Sequence, residues 1–313
     1  MKRAGFLFFA LYAVLAGRMG IVAHAQDGRA KAVLQVLDEA PECQDLGDAY
    51  WEVGDSQGVL AQGQRGESIG PETDMPIASA SKWVFASYVL QRVGSVLSEA
   101  EVLQLQLRSG YDKLNPVLCL NKETPVQCFA AGGNDKLSQD HIGMFSYNGG
   151  HMQKTMIDLG LGDMDLDDLT TDLNRELGLD AAFRYGTPQA AAGMRATPKA
   201  YGAFLRRILL GELRMASFLG SMPVCTLPGS CPTAFSSPAP MAWHYSLGHW
   251  VEDDPEGDGA FSSAGAFGFY PWISADRRLY GLLARKSYKR NAGVQSALCG
   301  RAIRRAFEED GLR

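Results

Sequence analysis

Residues 76–93 read Pro76-Ile77-Ala78-Ser79-Ala80-Ser81-Lys82-Trp83-Val84-Phe85-Ala86-Ser87-Tyr88-Val89-Leu90-Gln91-Arg92-Val93. Trp83, Ala86, Val89, Leu90 and Val93 recur at spacings of three and four, which predicts an amphipathic helix starting at Ser79. Residues three apart share a helix face, so the Lys82 amine stands beside the Ser79 hydroxyl. A serine hydroxyl is a weak nucleophile at neutral pH and needs a base within hydrogen-bond reach. A lysine can be that base once desolvation or neighbouring cations lower its pKa. The positive end of the helix dipole also favours negative charge on Ser79. The same residues fit a plain N-cap, with Ser79 or Ser81 capping and Lys82 in solvent. Ser-x-x-Lys alone does not separate the two readings.

Working outward, Ala30, Val33, Leu34 and Leu37 have helical spacing, and Pro41 follows. Tyr50-Trp51-Glu52-Val53 and Val59-Leu60-Ala61 flank the turn signal Gly54-Asp55-Ser56-Gln57-Gly58 and predict a β-hairpin. From about 96 to 240 the pattern is mostly helical, broken by Gly and Pro loops. The aromatic run Trp243 to Val251 and the apolar run Leu279 to Ala284 read as strands, and Ala292 to Phe307 as a closing helix. Strands near both ends with a helical middle predict an α+β fold, an α/β/α sandwich. Its antiparallel sheet is built from both chain ends, flanked by terminal helices and joined to a mainly helical insertion. The expected lobes are 26–78 with 242–313 (α/β) and 79–241 (mainly helical).

Two further segments carry chemistry. Phe145-Ser146-Tyr147-Asn148-Gly149-Gly150-His151 contains Ser-x-Asn, and Phe261-Ser262-Ser263-Ala264-Gly265-Ala266-Phe267-Gly268 leads into Tyr270-Pro271-Trp272. In this order the chain resembles the serine β-lactamase and penicillin-binding-protein superfamily, whose motifs are S-x-x-K, S-D-N and K-T-G. The stretches 173–179, 191–198, 204–206 and Tyr245-Ser246-Leu247-Gly248-His249-Trp250 look like its class C and esterase branch. The resemblance covers most of the chain beyond residue 25.

The resemblance implies that Ser79 is acylated and Lys82 accepts its proton. It implies that Ser146 relays a proton to the leaving group, that Asn148 binds substrate, and that the backbone N–H groups of Ser79 and Ala266 form an oxyanion hole. Class C enzymes usually carry Tyr where Ser146 stands, so Tyr147, one residue on, is the alternative hydroxyl. In the third motif, Ser263-Ala264-Gly265, the substrate-binding strand has Ser263 where Lys or His is expected and Ala264 where Thr or Ser is usual. Without that cation, recognition of a substrate carboxylate loses its usual partner. Esters and neutral amides therefore rank ahead of β-lactams. Arg285 and Lys286 are the nearby cations that could restore the charge. The rival reading is a binding protein on the same scaffold, its catalysis lost with the third motif.

Lys2 and Arg3, the apolar run Gly5 to Gly17 and Ala23-His24-Ala25 read as a signal peptide over 1–25 with an A-x-A cleavage site. The run falls short of the ~20 residues a spanning helix needs, so the expectation is a secreted or periplasmic protein with no transmembrane segment after cleavage. Losing Lys2, Arg3 and Arg18 with that leader takes the formal charge from −5 to −8, which argues against nucleic acid as a partner. The expected partner is a small-molecule or peptide ester or amide. Cys43, Cys119, Cys128, Cys225, Cys231 and Cys299 make an even set, as disulfides require in an oxidising compartment. Fifteen pairings exist in principle. Cys119 with Cys128 and Cys225 with Cys231 close local loops, which leaves Cys43 for Cys299.

No metal site is expected: there is no C-x-x-C, and His244 and His249 are five apart on a predicted strand and point to opposite faces. Asp163, Asp165 and Asp167 alternate like calcium ligands, but Asp168 stands where Gly is needed and Asn174 where the bidentate Glu belongs. No organic cofactor is implied. Phe267, Phe269, Tyr270 and Trp272 are either walls of an apolar acyl pocket or sheet core.

Overall fold

A computed structural model describes residues 16–310. Residues 1–15 of the expected leader lie outside the described residues, and 16–25 fall within the first helix, α1 (Ala16–Glu39). A hairpin follows, β1 (Ala49–Gly54) and β2 (Val59–Arg65), then β3 (Met75–Pro76). The helical part opens with α2 (Ser81–Val93), α3 (Glu99–Leu105), α4 (Pro125–Ala130), β4 (Phe145–Ser146), α5 (Gly150–Asp158) and α6 (Leu166–Leu177). It continues through β5 (Phe183–Tyr185), β6 (Met194–Ala196), α7 (Pro198–Leu209) and α8 (Met215–Phe218). The chain returns through β7 (Val224–Cys225), β8 (Ala234–Ser236), β9 (His244–Tyr245), β10 (Trp250–Val251) and β11 (Phe261–Ser262). It closes with β12 (Tyr270–Ile273), β13 (Tyr280–Arg285) and α9 (Ala292–Asp310).

The main sheet is antiparallel, with strand order β2-β1-β13-β12-β11-β10-β9-β7. The β1–β13 pair, next to the β2 edge, joins the chain ends: Ala49 lies opposite Arg285 and Gly54 opposite Tyr280. Both strands are buried at every position, since helices cover both faces. On one face Gly202 of α7 leaves room for the Glu52 carboxylate, where a Cβ would come within 2.0 Å of Oε1. On the other, α9 packs against α1, and Arg304 lies over the Trp272 ring at 4.9 Å. That makes three layers, α/β/α, with the remaining helices to one side, as the sequence pattern predicted.

All three disulfides form as the spacing suggested: Cys43–Cys299, Cys119–Cys128 and Cys225–Cys231. Cys43–Cys299 closes a loop of 256 residues and ties the turn before β1 to α9, so loop-closure entropy places its effect in the unfolded chain. The acidic alternation at 163–168 is a helix cap, because the Asp165 carboxylate accepts from Asp167 N–H (3.0 Å) and Asp168 N–H (2.9 Å). Among the described residues no helix is long and apolar enough to cross a membrane.

Candidate active site

The α2 helix is the centre of the molecule. Every residue from Ser81 to Leu90 is buried, Lys82 included. Ser79 precedes it in a short 3-10 turn, Ala78–Ala80, so the α-helix starts two residues later than its apolar spacing predicted. Ala78 holds φ +45°, a left-handed conformation that costs an L-residue about 1–2 kcal/mol. This bend turns Ser79 out of the core toward the cleft. Neither serine caps the helix. Ser81 Oγ accepts from Met194 N–H at 3.2 Å, and Lys82 Nζ lies 2.9 Å from Ser79 Oγ. The cap reading therefore gives way to a Ser79–Lys82 pair.

The only other hydrogen bond of Lys82 among the described residues goes to the Ala191 carbonyl, at 3.2 Å, and no carboxylate pairs with it. Burial without a counter-ion penalises the ammonium form and pushes the Lys82 pKa down to about 7. A base poised near neutrality, in contact with a hydroxyl, is what activation of Ser79 requires.

Of the two candidate second-motif hydroxyls, Tyr147 is the one that faces the cleft. Ser146 is 3% exposed and its Oγ is bonded to Ser236 Oγ at 3.0 Å, so its hydroxyl already has a partner outside the Ser79–Lys82 pair. The cause is local: β4 pairs in parallel with β8 through a register shift between Phe145 and Ser146, which turns Ser146 inward and Tyr147 out. The Tyr147 ring stacks on Trp250 (centroids 5.3 Å apart) and lies 4.5 Å from Lys82 Nζ. Burial raises its pKa to about 12, with Ser79 and Trp250 pulling the other way, so the phenol keeps its proton at neutral pH. His151 fixes the segment from below. It accepts from Ser109 N–H at Nδ1 (3.1 Å), and its Nε2 lies 3.0 Å from the Ser146 carbonyl. Burial lowers its pKa to about 4, so it stays neutral.

Asn148 lines the cleft, but Leu114 and Gly150 claim much of its amide: Oδ1 accepts from both backbone N–H groups (3.2 and 2.8 Å), and Nδ2 donates to Leu114 O (3.1 Å). Its evident work is to hold the 114 loop. Ser263 is 2% exposed and its Oγ donates to the Ser79 carbonyl at 3.1 Å. Gly265 is required by a close approach, since a Cβ there would stand 2.2 Å from the Ile77 carbonyl. The third segment thus braces the turn that carries Ser79. Only Ala264 and Ala266 of this segment reach the cleft.

Neither expected replacement cation is present in the cleft. Arg285 is 1% exposed and bonded to Ser296 Oγ, Gln295 Oε1 and the carbonyls of Leu46 and Ala292. Lys286 lies on the surface beside Tyr288. Arg290, which the sequence reading missed, lines the cleft. Phe269, Tyr270 and Trp272 are sheet core, each at most 1% exposed, and the aromatic wall comes from Tyr147, Trp243 and Trp250.

Ser79 and Tyr147 stand where two cavities meet. The smaller, about 220 Å³, is walled by Lys82, Leu114, Pro116, Gln153, Gln189 and Ala191. The larger, about 410 Å³, is walled by Pro238, Trp243, Trp250, Ala264, Arg290 and Asn291. A carboxylic ester or amide has two arms on one carbonyl, and this junction offers each arm a chamber.

No family model and no curated protein sequence matches the chain. Solved structures do. The hydrolase EstCE1, described as having promiscuous acyltransferase activity, superposes with a TM-score of 0.67 at 12% identity, over 91% of this chain and 99% of its own. The D-amino acid amidase of Ochrobactrum anthropi SV3 does so at 0.65 and 11%, over 90% and 98%. A β-lactamase from Mycobacterium bovis matches at 0.51 and 14%, over 88% and 99%. At such identities the likeness establishes architecture, and the architecture is that of the β-lactamase-fold hydrolases.

Proposed function

We propose that this chain is an exported serine hydrolase that acts on carboxylic esters or amides through an acyl-enzyme on Ser79. The observation that carries it is the 2.9 Å contact between Ser79 Oγ and a buried, unpaired Lys82 whose pKa lies near 7. Ser79 Oγ attacks the substrate carbonyl carbon, and its proton passes to the free amine of Lys82. Negative charge on the carbonyl oxygen is met by the backbone N–H groups of Ser79 and Ala266. The bond to the leaving oxygen or nitrogen then breaks, and Tyr147 hands its proton to that atom while taking one from Lys82. Water then gives a proton to the free amine of Lys82 as its oxygen attacks the Ser79 ester, and Lys82 returns that proton to Ser79 Oγ as the ester bond breaks and the acid leaves. Both protons are conserved in each half-reaction, and Tyr147 needs no net charge.

The third segment, Ser263-Ala264-Gly265, carries no cation for a substrate carboxylate, which favours esters and amides of the carboxylesterase or D,D-peptidase type over β-lactams, whereas Arg290 in the larger cavity is the one lining cation that would favour a carboxylate there. The closed disulfides support export to an oxidising compartment. The test is steady-state hydrolysis of p-nitrophenyl acetate, a D-alanyl amide and a penicillin by wild type and by Ser79→Ala. The reading expects ester or amide turnover that vanishes in the variant. Ready saturable turnover of the penicillin alone would overturn the substrate ranking.

A further inference from the structure

The sequence Leu114-Asn115-Pro116-Val117-Leu118-Cys119-Leu120 carries no charge, yet three of its aliphatic side chains face solvent: Val117 is 66% exposed, Leu118 40% and Leu120 57%. The loop is held rigidly in that display. Cys119 is fully buried and joined to Cys128, and with Leu114 the pair forms a small core of its own. Buried Asn134 accepts from Asn115 N–H (2.8 Å) and donates to the Cys128 carbonyl (2.9 Å), while Gln189 Nε2 donates to the Pro116 carbonyl (3.3 Å). A stapled loop that keeps large aliphatics in water is a binding surface rather than slack chain. Its position says what binds. Leu114 and Pro116 line the smaller cavity beside Ser79 and Lys82, and exposed Val117 follows Pro116 in the chain. Residues 114–120 therefore lead, with no charged residue among them, from the cavity lining to the exposed aliphatics of the same loop.

We propose that residues 116–120 form an outer subsite for the aliphatic chain of an uncharged ester whose carbonyl lies at Ser79, which makes this an esterase for medium-length acyl chains. The inference rests on the serine hydrolase reading above. Burial of a methylene on a half-open surface is worth about a twofold gain in kcat/KM, so octanoate should exceed butyrate by roughly 15-fold.

The experiment measures kcat/KM for p-nitrophenyl acetate, butyrate and octanoate, below their aggregation limits, with wild type and with Val117→Ser/Leu120→Ser. The expected result is the rise with chain length, a loss of about five- to tenfold on octanoate in the double variant, and acetate within twofold of wild type. Octanoate no better than butyrate, or equal losses on acetate and octanoate, would overturn the subsite while leaving the hydrolase intact. Absence of acetate hydrolysis together with absence of fluorophosphonate labelling at Ser79 would overturn the parent reading and this inference with it.

Discussion

In the proposed mechanism Lys82 sets the pH at which Ser79 reacts, and a pKa of about 7 gives that dependence an expected shape. With a pKa of about 7 in place of 10.5, about half of the amine is free at pH 7, against roughly 1 part in 3,000 for an ordinary lysine. At pH 6 the free fraction falls to about one eleventh, and at pH 8 it exceeds nine tenths. The second-order rate of Ser79 labelling by a fluorophosphonate, followed by intact mass between pH 5.5 and 9, should therefore climb about tenfold from pH 6 to its plateau, with a midpoint near 7. Tyr147, with its pKa near 12, adds no descending limb in that range. Lys82→Arg keeps the cation but cannot shed its proton, and should label at least 10³-fold more slowly at pH 8. A flat profile, or a rate still climbing in proportion to hydroxide at pH 9, would refute the claim that burial tunes Lys82 as the base.

The same burial has a cost in stability. The unfolded amine holds its proton up to about 10.5 while the folded one sheds it near 7, so wild-type stability should rise with pH between about 7 and 10.5 and be independent of this group below 7. Lys82→Met should be more stable than wild type by about 1–4 kcal/mol at pH 6, and inactive, as denaturant melts and labelling will show. Tyr147→Phe should lower kcat by about 10²–10⁴-fold, whereas Ser146→Ala, which removes one buried hydroxyl contact to Ser236, should stay within tenfold of wild type. Steady-state kinetics on both variants decides between the two hydroxyls. Gly265→Ala drives a Cβ toward the Ile77 carbonyl, and should cost about 1–3 kcal/mol in a thermal melt and slow Ser79 labelling, because the displaced segment is the one that carries the nucleophile.

How much of this the sequence disclosed depends on the range of the interactions involved. Ser79 and Lys82 lie one helical turn apart, so their contact follows from local geometry, and the disulfides followed from local loops that left one pair over. The choice between Ser146 and Tyr147 was not legible, because β4 is two residues long and its facing is imposed by β8, some 90 residues later. The inward turn of Ser263 escaped for the same reason: its partner is the carbonyl of Ser79, 184 residues away. That Trp243, Trp250 and Arg290 share one cavity wall was not legible either, because these tryptophans are as apolar and nearly as buried as Phe269, Tyr270 and Trp272, which line no part of it. Strand patterning names which residues are apolar, and tertiary closure decides which of them meet substrate.

The most direct test is intact-mass spectrometry of wild type and of folded Ser79→Ala after exposure to a fluorophosphonate at pH 8. The account predicts one adduct on wild type, mapped to the peptide carrying Ser79, and none on the variant. No adduct on a folded wild-type protein, or an adduct that survives Ser79→Ala, would contradict it.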